Sequence, residues 1–221
     1  MIITCGGIKG GSGKTTLAVY LTVMLSKKNK VLLVDADAQA TATDFTEWRG
    51  DSIGETGYTA IKLVGKSVRD EVKKLQENYD YVVIDVGGRD TTSQRAALTI
   101  ADLFIAPFAP KSFDIWTLET LSELVQEVKE IMNPDLLVYA LLNRADNNRK
   151  DIEDARDIIL DTKVFTPLDS ILKERKAISN ASAEGLIVSE MKRKDYKAIK
   201  EIEALFTEVL SLEKLAKEMA G

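Results

Sequence analysis

A chain of 221 residues with 45% hydrophobic and 29% charged residues and a formal net charge of −5 has the composition of a globular protein, long enough to bury a sizeable core. No apolar run approaches the roughly 18 to 20 residues of a helical membrane span, and Met1 leads into a strand-like run without a secretory leader, so a cytoplasmic protein is expected. Histidine is absent and cysteine occurs once, at Cys5; His-based triads, His metal sites and an intramolecular disulfide framework are excluded, and any catalysis has to rest on carboxylates, lysines, hydroxyls, backbone amides and a bound cation.

Ile2 to Cys5 is a short apolar run and reads as the first strand, with Cys5 as a core residue. A glycine-rich stretch leads into a helical pattern from Thr15 to Lys28, followed by a strand over Val31 to Val34. Further along, helical spacing over Lys66 to Asn78, Thr91 to Ala101, Ile115 to Met132 and Asp151 to Leu160 alternates with strands at Tyr81 to Ile84, Leu103 to Ala106 and Leu136 to Leu142. The strands are nearly continuous apolar runs, as parallel strands covered on both faces tend to be. From about Lys192 the chain reads as one long helix, with Ile199, Ile202, Leu205, Phe206, Val209 and Leu212 along a stripe. The alternation predicts an α/β fold: a doubly wound, mostly parallel sheet with helices on both faces, in one domain over 1–221 with a C-terminal helical region from about 192. Ligands of such sheets bind at the carboxyl ends of the strands.

The motifs fall at those ends. Gly10, Gly11 and Gly13 stand between the first strand and a helix, where backbone amides without a Cβ in the way can approach phosphate oxygens and the helix N-terminus favours negative charge. Lys14 then suits the β/γ-phosphates and Thr15 suits Mg²⁺. The pattern G-x-x-x-x-G-K-[ST] asks for glycine at position 8, which is Ile8, and the other reading is a ligand-free glycine-rich turn. Asp35 and Asp37 in "VLLVDADAQAT" and Asp85 in "YDYVVIDVGG" end two strands, where a carboxylate can hold a magnesium-bound water or can simply cap the next helix. Gly88, three residues beyond Asp85, has the spacing at which P-loop proteins offer an amide to the γ-phosphate.

"KGGSGKTT", "LLVDADAQATAT" and "YVVIDVGGRD", in this order and spacing, resemble the ParA/MinD family of deviant Walker-type P-loop ATPases, and the short N-terminus is similar to that of small plasmid-type ParA partition proteins. The resemblance covers most of the chain. It implies ATP and Mg²⁺ as ligands, bound through Lys9, Gly10, Gly11, Ser12, Gly13, Lys14, Thr15 and Thr16. It makes Lys9 the signature residue, reaching across a nucleotide-sandwich dimer to the phosphates of the other subunit, where a second positive charge can act as an arginine finger does. It assigns Asp37 to the attacking water and the metal shell, and Asp85 to Mg²⁺ through water. Two departures are Ala38, where proline is usual, and "DVGG" for the common "DTPP". Asn143 falls where family members contact adenine, although Asn143-Arg144-Ala145-Asp146 also fits, with Arg for Lys, the N-K-x-D guanine pattern; the family context favours ATP. Pro167 in "FTPLDS" is expected in the base pocket.

The resemblance further implies a weak basal ATPase whose ATP dimer binds non-specific DNA, is stimulated by a ParB-like cargo-bound partner, and segregates or positions a plasmid, chromosome or other assembly on the nucleoid. Lys173, Arg175 and Lys176, and then Lys192, Arg193, Lys194, Lys197 and Lys200, are local basic clusters in an acidic chain, suited to phosphate contacts. The alternatives are a MinD-like membrane-associated ATPase and a metabolic P-loop enzyme. The first needs a basic amphipathic terminal helix, but 201–221 holds five glutamates against Lys214 and Lys217, so no membrane partner is expected. For the second, no motif marks an acceptor pocket.

Overall fold

The computed structural model describes residues 1–88, 91–110 and 115–219. Among these, β1 (Ile2–Cys5), β2 (Val31–Asp35), β3 (Thr59–Lys62), β4 (Tyr81–Asp85), β5 (Leu103–Phe108), β6 (Leu137–Ala145) and β7 (Thr166–Lys173) form one parallel sheet in the order β3-β2-β4-β1-β5-β6-β7. The helices are α1 (Lys14–Ser26), α2 (Thr41–Ile53), α3 (Ser67–Leu75), α4 (Thr91–Leu98), α5 (Ile115–Ile131), α6 (Arg149–Asp161), α7 (Lys176–Ala183) and α8 (Tyr196–Met219).

Side chains alternate across a strand, so each inner strand feeds two cores. Ile3, Leu33, Val83 and Ile105 point to the face covered by α1, α2, α7 and α8. Ile2, Leu32, Ile84 and Phe104 point to the opposite face, under α3, α4, α5 and α6. The expected strands are present, most of them extended by one to three residues at their carboxyl ends. Two strands that apolar runs did not predict complete the sheet at its edges. β3 reads Thr-Ala-Ile-Lys and is largely exposed, and β7 contains Pro167 and is only intermittently buried. An edge strand covered on one side lacks the continuous apolar signature.

α2 also escaped the sequence reading. Its threonines and Gly50 weaken the helical pattern, and it buries only Ala42, Phe45 and Arg49. Arg49 is held by a two-pronged ion pair with Glu190 (2.8 Å for each contact) and donates to the carbonyls of Gly185 (3.1 Å) and Thr56 (3.1 Å). This clamps α2 to the segment after α7.

The C-terminal helix starts at Tyr196 and not near Lys192. Asp195 ends the preceding turn and accepts through Oδ1 from the N–H groups of Lys197 (3.1 Å) and Ala198 (3.0 Å), capping α8. Lys192, Arg193 and Lys194 lie in that turn. Ala198, Ile202, Leu205 and Val209 form the buried stripe, the larger three contributing ~2 kcal/mol each by leaving water. Three glutamates of α8 face the protein as well. Glu208 accepts from the backbone N–H groups of Asp169 (2.7 Å) and Ser170 (2.9 Å), Glu201 accepts from that of Lys173 (3.2 Å), and Glu213 accepts from the Tyr81 hydroxyl (2.6 Å).

Candidate functional site

The carboxyl ends of β1, β2, β4 and β6 converge on the loop between β1 and α1. Gly7 N–H donates to Gln94 Oε1 on α4 (3.1 Å), and Asn143 Nδ2 at the end of β6 donates to the Ser12 carbonyl (2.7 Å), so the loop is tied to both halves of the sheet. Gly13 has φ +101°, and a Cβ there would sit 2.1 Å from Asn143 Nδ2; no larger residue fits. Gln94 carries no motif signal and was missed in the sequence.

Lys14 is buried, and its Nζ donates to the Lys9 carbonyl (2.7 Å). Burial pushes its ammonium below the usual lysine range, against the pull of the Asp85 and Asp37 carboxylates. Lys9, Gly10 and Gly11 are exposed at the rim, while Ser12 is buried and Thr15 and Thr16 are half-buried at the start of α1.

The three strand-end aspartates are not equivalent. Asp35 is fully used: its carboxylate accepts from Asp37 N–H (3.1 Å), Thr43 N–H (2.8 Å) and the Thr43 hydroxyl (2.7 Å), fixing the loop into α2. Asp37 is half-buried, accepts from Gln39 N–H (3.0 Å), and lies against Gly87. Asp85 is buried with neither oxygen hydrogen-bonded among the described residues. Burial raises its carboxyl to about 7, aided by Asp35 and Asp37 and opposed by the neighbouring Thr15 hydroxyl and Lys14. Such an orphaned carboxylate beside a threonine hydroxyl suits a hydrated Mg²⁺, which takes few protein ligands; among the described residues no three acidic or thiol side chains gather into a fuller ligand set.

The raised value has a sign that can be measured. Between about pH 4 and 7 the folded state holds a proton on Asp85 that the unfolded chain releases, so this group costs stability progressively as pH rises and the full cost is present above 7. Asp85→Asn should therefore stabilise the nucleotide-free protein at pH 8 by on the order of 2–4 kcal/mol and leave it little changed at pH 4. Urea unfolding of both proteins at the two pH values checks this.

Two spaces meet at the loop. An open groove of about 880 Å³ runs past Ile8, Lys14, Thr15, Asp37, Gly88 and Arg144. A more enclosed cavity of about 150 Å³ lies on the other side of Gly13 and Thr16, with Asn143 and the segment Lys173 to Lys176 at its wall. The groove has the groups for a polyphosphate and the cavity has room and walls for a base. Asp146 lines neither space; its Oδ1 accepts from Asn148 N–H (2.8 Å) in the loop before α6.

Residues 3–188 match the family described as the CobQ/CobB/MinD/ParA nucleotide binding domain. The chain belongs to that family. Within it, the chain is similar to the maintenance of carboxysome distribution protein A of Halothiobacillus neapolitanus, 24% identical with 94% of this chain and 95% of that one covered. Among solved structures, a Cyanothece McdA variant in complex with ATP superposes with a TM-score of 0.75 at 20% identity, covering 94% and 95% of the two chains. A Borrelia burgdorferi B31 plasmid partition protein bound to AMPPNP gives 0.72 at 22% identity, covering 95% and 98%.

As a MinD/ParA-type nucleotide-binding domain, the chain has Lys9 to Thr16, Asp37, Gly88 and Asn143 around one site, and Asp85 beneath it. Pro167 needs correction. It is the second residue of β7, opposite Ala140, while the cavity wall is formed by the other end of that strand and the residues after it. An eight-residue strand puts Pro167 and Lys173 roughly 20 Å apart. The basic residues differ in how they are engaged. Arg175 is paired with Glu201 (3.0 and 2.5 Å), Lys173 Nζ donates to the Asp146 carbonyl, and with Lys176 they line the cavity. Arg175 also shares a shallow surface pocket with Lys197 and Lys200, and Lys192, Arg193, Lys194, Lys197 and Lys200 are all exposed.

Proposed function

We propose that this protein is a ParA-type ATPase that closes into a sandwich dimer around ATP, holds non-specific DNA in that state, and lets go after hydrolysis stimulated by a cargo-bound partner. The observation that carries this reading is the opposed placement of the two lysines: Lys14 is buried against the loop and Lys9 is exposed at its rim. Lys14 turns from the Lys9 carbonyl to the β/γ-phosphates of its own subunit, and Lys9 serves the γ-phosphate of a second copy. ADP leaves Lys9 without that contact, so the dimer depends on the third phosphate.

Thr15 and, through a coordinated water, Asp85 would hold Mg²⁺, with Asp37 at the edge of its shell. Held by these residues, Mg²⁺ would supply positive charge against that building on the phosphates. Asp37 orients the attacking water from the mouth of the groove, and Gly88 offers its N–H to the transferred phosphoryl group. Asn143 holds the loop through Ser12, and its amide stands at the cavity that takes adenine.

The likeness to proteins named for carboxysome distribution and plasmid partition supports a role in positioning or segregating a cargo; in this reading the DNA-bound ATP form sits on the nucleoid. For DNA, the exposed Lys192, Arg193, Lys194, Lys197 and Lys200 support a sequence-independent surface that a dimer doubles. A membrane role is disfavoured by α8, whose apolar stripe is packed on the sheet, and no helix among the described residues is long and apolar enough to cross a bilayer.

Sedimentation and gel shift on one preparation test the reading. With AMPPNP and Mg²⁺ the chain should sediment as a dimer and shift duplex DNA of any sequence, with log affinity falling by about 0.9 per tenfold salt for each phosphate neutralised. With ADP it should do neither. Reversing Arg193 and Lys194 to glutamate should abolish the shift and leave the dimer intact. A monomer under saturating AMPPNP would sink the sandwich, and DNA binding that survives the reversal would remove this turn from the surface.

A further inference from the structure

Arg144 stands at the seam between the groove and the cavity, and it is the charged side chain that lines both. The backbone is bent to put it there. Between Leu142 and Ala145 the register of β6 against β7 advances three residues on β6 for two on β7, from Leu142 opposite Ile171 to Ala145 opposite Lys173. A bulge of one residue re-aims a side chain, and such bulges are favoured beside functional sites. Within it Arg144 has φ +54°, the left-handed region that favours glycine and is rare for a long side chain. Both neighbours hold the distortion in place. Asn143 is fixed to Ser12 through its Nδ2, and the Ala145 carbonyl accepts from Glu174 N–H (3.0 Å).

What this conformation presents is an exposed guanidinium that makes no hydrogen bond or ion pair among the described residues. The nearby Lys173 and Arg175 are both engaged with the protein. Strain held in place by its surroundings, ending in an unengaged cation between a polyphosphate groove and a base cavity, points to a ligand. The part of a nucleotide that joins those two spaces is the sugar and the α-phosphate. We propose that Arg144 grips this sugar–α-phosphate segment through charge-assisted hydrogen bonds, an assignment that rests on the nucleotide reading of the site.

The contact has a distinct signature. ATP and ADP share the segment, so loss of Arg144 affects them equally, unlike loss of a γ-phosphate contact. Glycine suits the backbone at 144, so Arg144→Gly removes the guanidinium and relieves the local strain together.

The experiment is calorimetric titration of ADP, AMPPNP and inorganic tripolyphosphate, each with Mg²⁺, into the full chain and its Arg144→Gly and Arg144→Lys variants, with thermal melts of the nucleotide-free proteins. Arg144→Gly is expected to weaken ADP and AMPPNP binding alike by roughly tenfold, leave tripolyphosphate unchanged, and melt at the same or a higher temperature. Arg144→Lys should recover part of the affinity. Unaltered ADP affinity, a loss confined to AMPPNP, an equal loss on tripolyphosphate, or a lower melting temperature of the nucleotide-free glycine variant would each overturn the assignment. A wild-type chain that binds neither ADP nor AMPPNP would remove the nucleotide reading itself, and the Arg144 assignment with it.

Discussion

Replacing Lys14 with alanine should weaken ADP and ATP binding alike by roughly a hundredfold or more, whereas Asp37→Ala should leave binding within about threefold and slow hydrolysis by roughly 10²–10⁴. The two defects differ in kind because the side chains differ in place. Lys14 is buried, feels the Asp85 carboxylate, and when truncated takes away that positive charge and its hydrogen bond to the Lys9 carbonyl. Asp37 sits at the mouth and, among the described residues, its carboxylate accepts only from Gln39 N–H, so its removal costs the loop little. Isothermal titration with ADP and AMPPNP, followed by phosphate release under saturating ATP, separates the two. Equal loss of nucleotide affinity in both variants would make Asp37 a binding or structural residue and take the water-orienting role from it.

The second large effect belongs to the pair of glycines after β4. A Cβ on Gly88 would lie 2.4 Å from the Ile8 carbonyl oxygen, a backbone atom that can yield only if the phosphate loop moves. A Cβ on Gly87 would lie 2.5 Å from the Asp37 carboxylate, the free end of a side chain that can swing away. Gly88→Ala is therefore expected to impair nucleotide binding and to lower hydrolysis by roughly a hundredfold, with a stability loss of about 1–3 kcal/mol. Gly87→Ala should spare binding and slow hydrolysis by displacing Asp37. Binding and turnover assays on the two variants decide it; a Gly88→Ala protein that hydrolyses ATP at the parent rate would show that this close approach is not part of the working site.

These glycines explain a departure that the sequence left as a bare observation. "DVGG" in place of "DTPP" places no bulk where the β4 loop crosses Ile8 and Asp37, a fit visible only once three separate segments are brought together. The phosphate loop itself was legible because its chemistry is local: glycines, Lys14 and Thr15 at fixed spacing between a strand and a helix. The inner strands were legible because both faces are buried, and β3 and β7 were not because edge strands are covered less. Pro167 was misplaced for the same reason, since without β7 its distance from the strand's carboxyl end could not be read. The pairing of Arg175 was not legible either: its charge is visible in the sequence, but its partner, Glu201, lies 26 residues away, beyond α7 and on α8. Gln94 belongs to no pattern and holds Gly7 through a contact, while Arg144 was visible only as a stand-in for Lys in the N-K-x-D pattern, and its left-handed backbone could not be read from that.

The carboxylates that α8 lays along β7 bear on how copies of this chain can associate. β7 ends the sheet, and an outer strand with open amides is a template on which another strand can dock. Glu208 already occupies the amides of Asp169 and Ser170, and Glu201 that of Lys173. A foreign strand arriving there would have to displace two anions and a packed helix. Sheet extension from one molecule to the next is therefore opposed along that border.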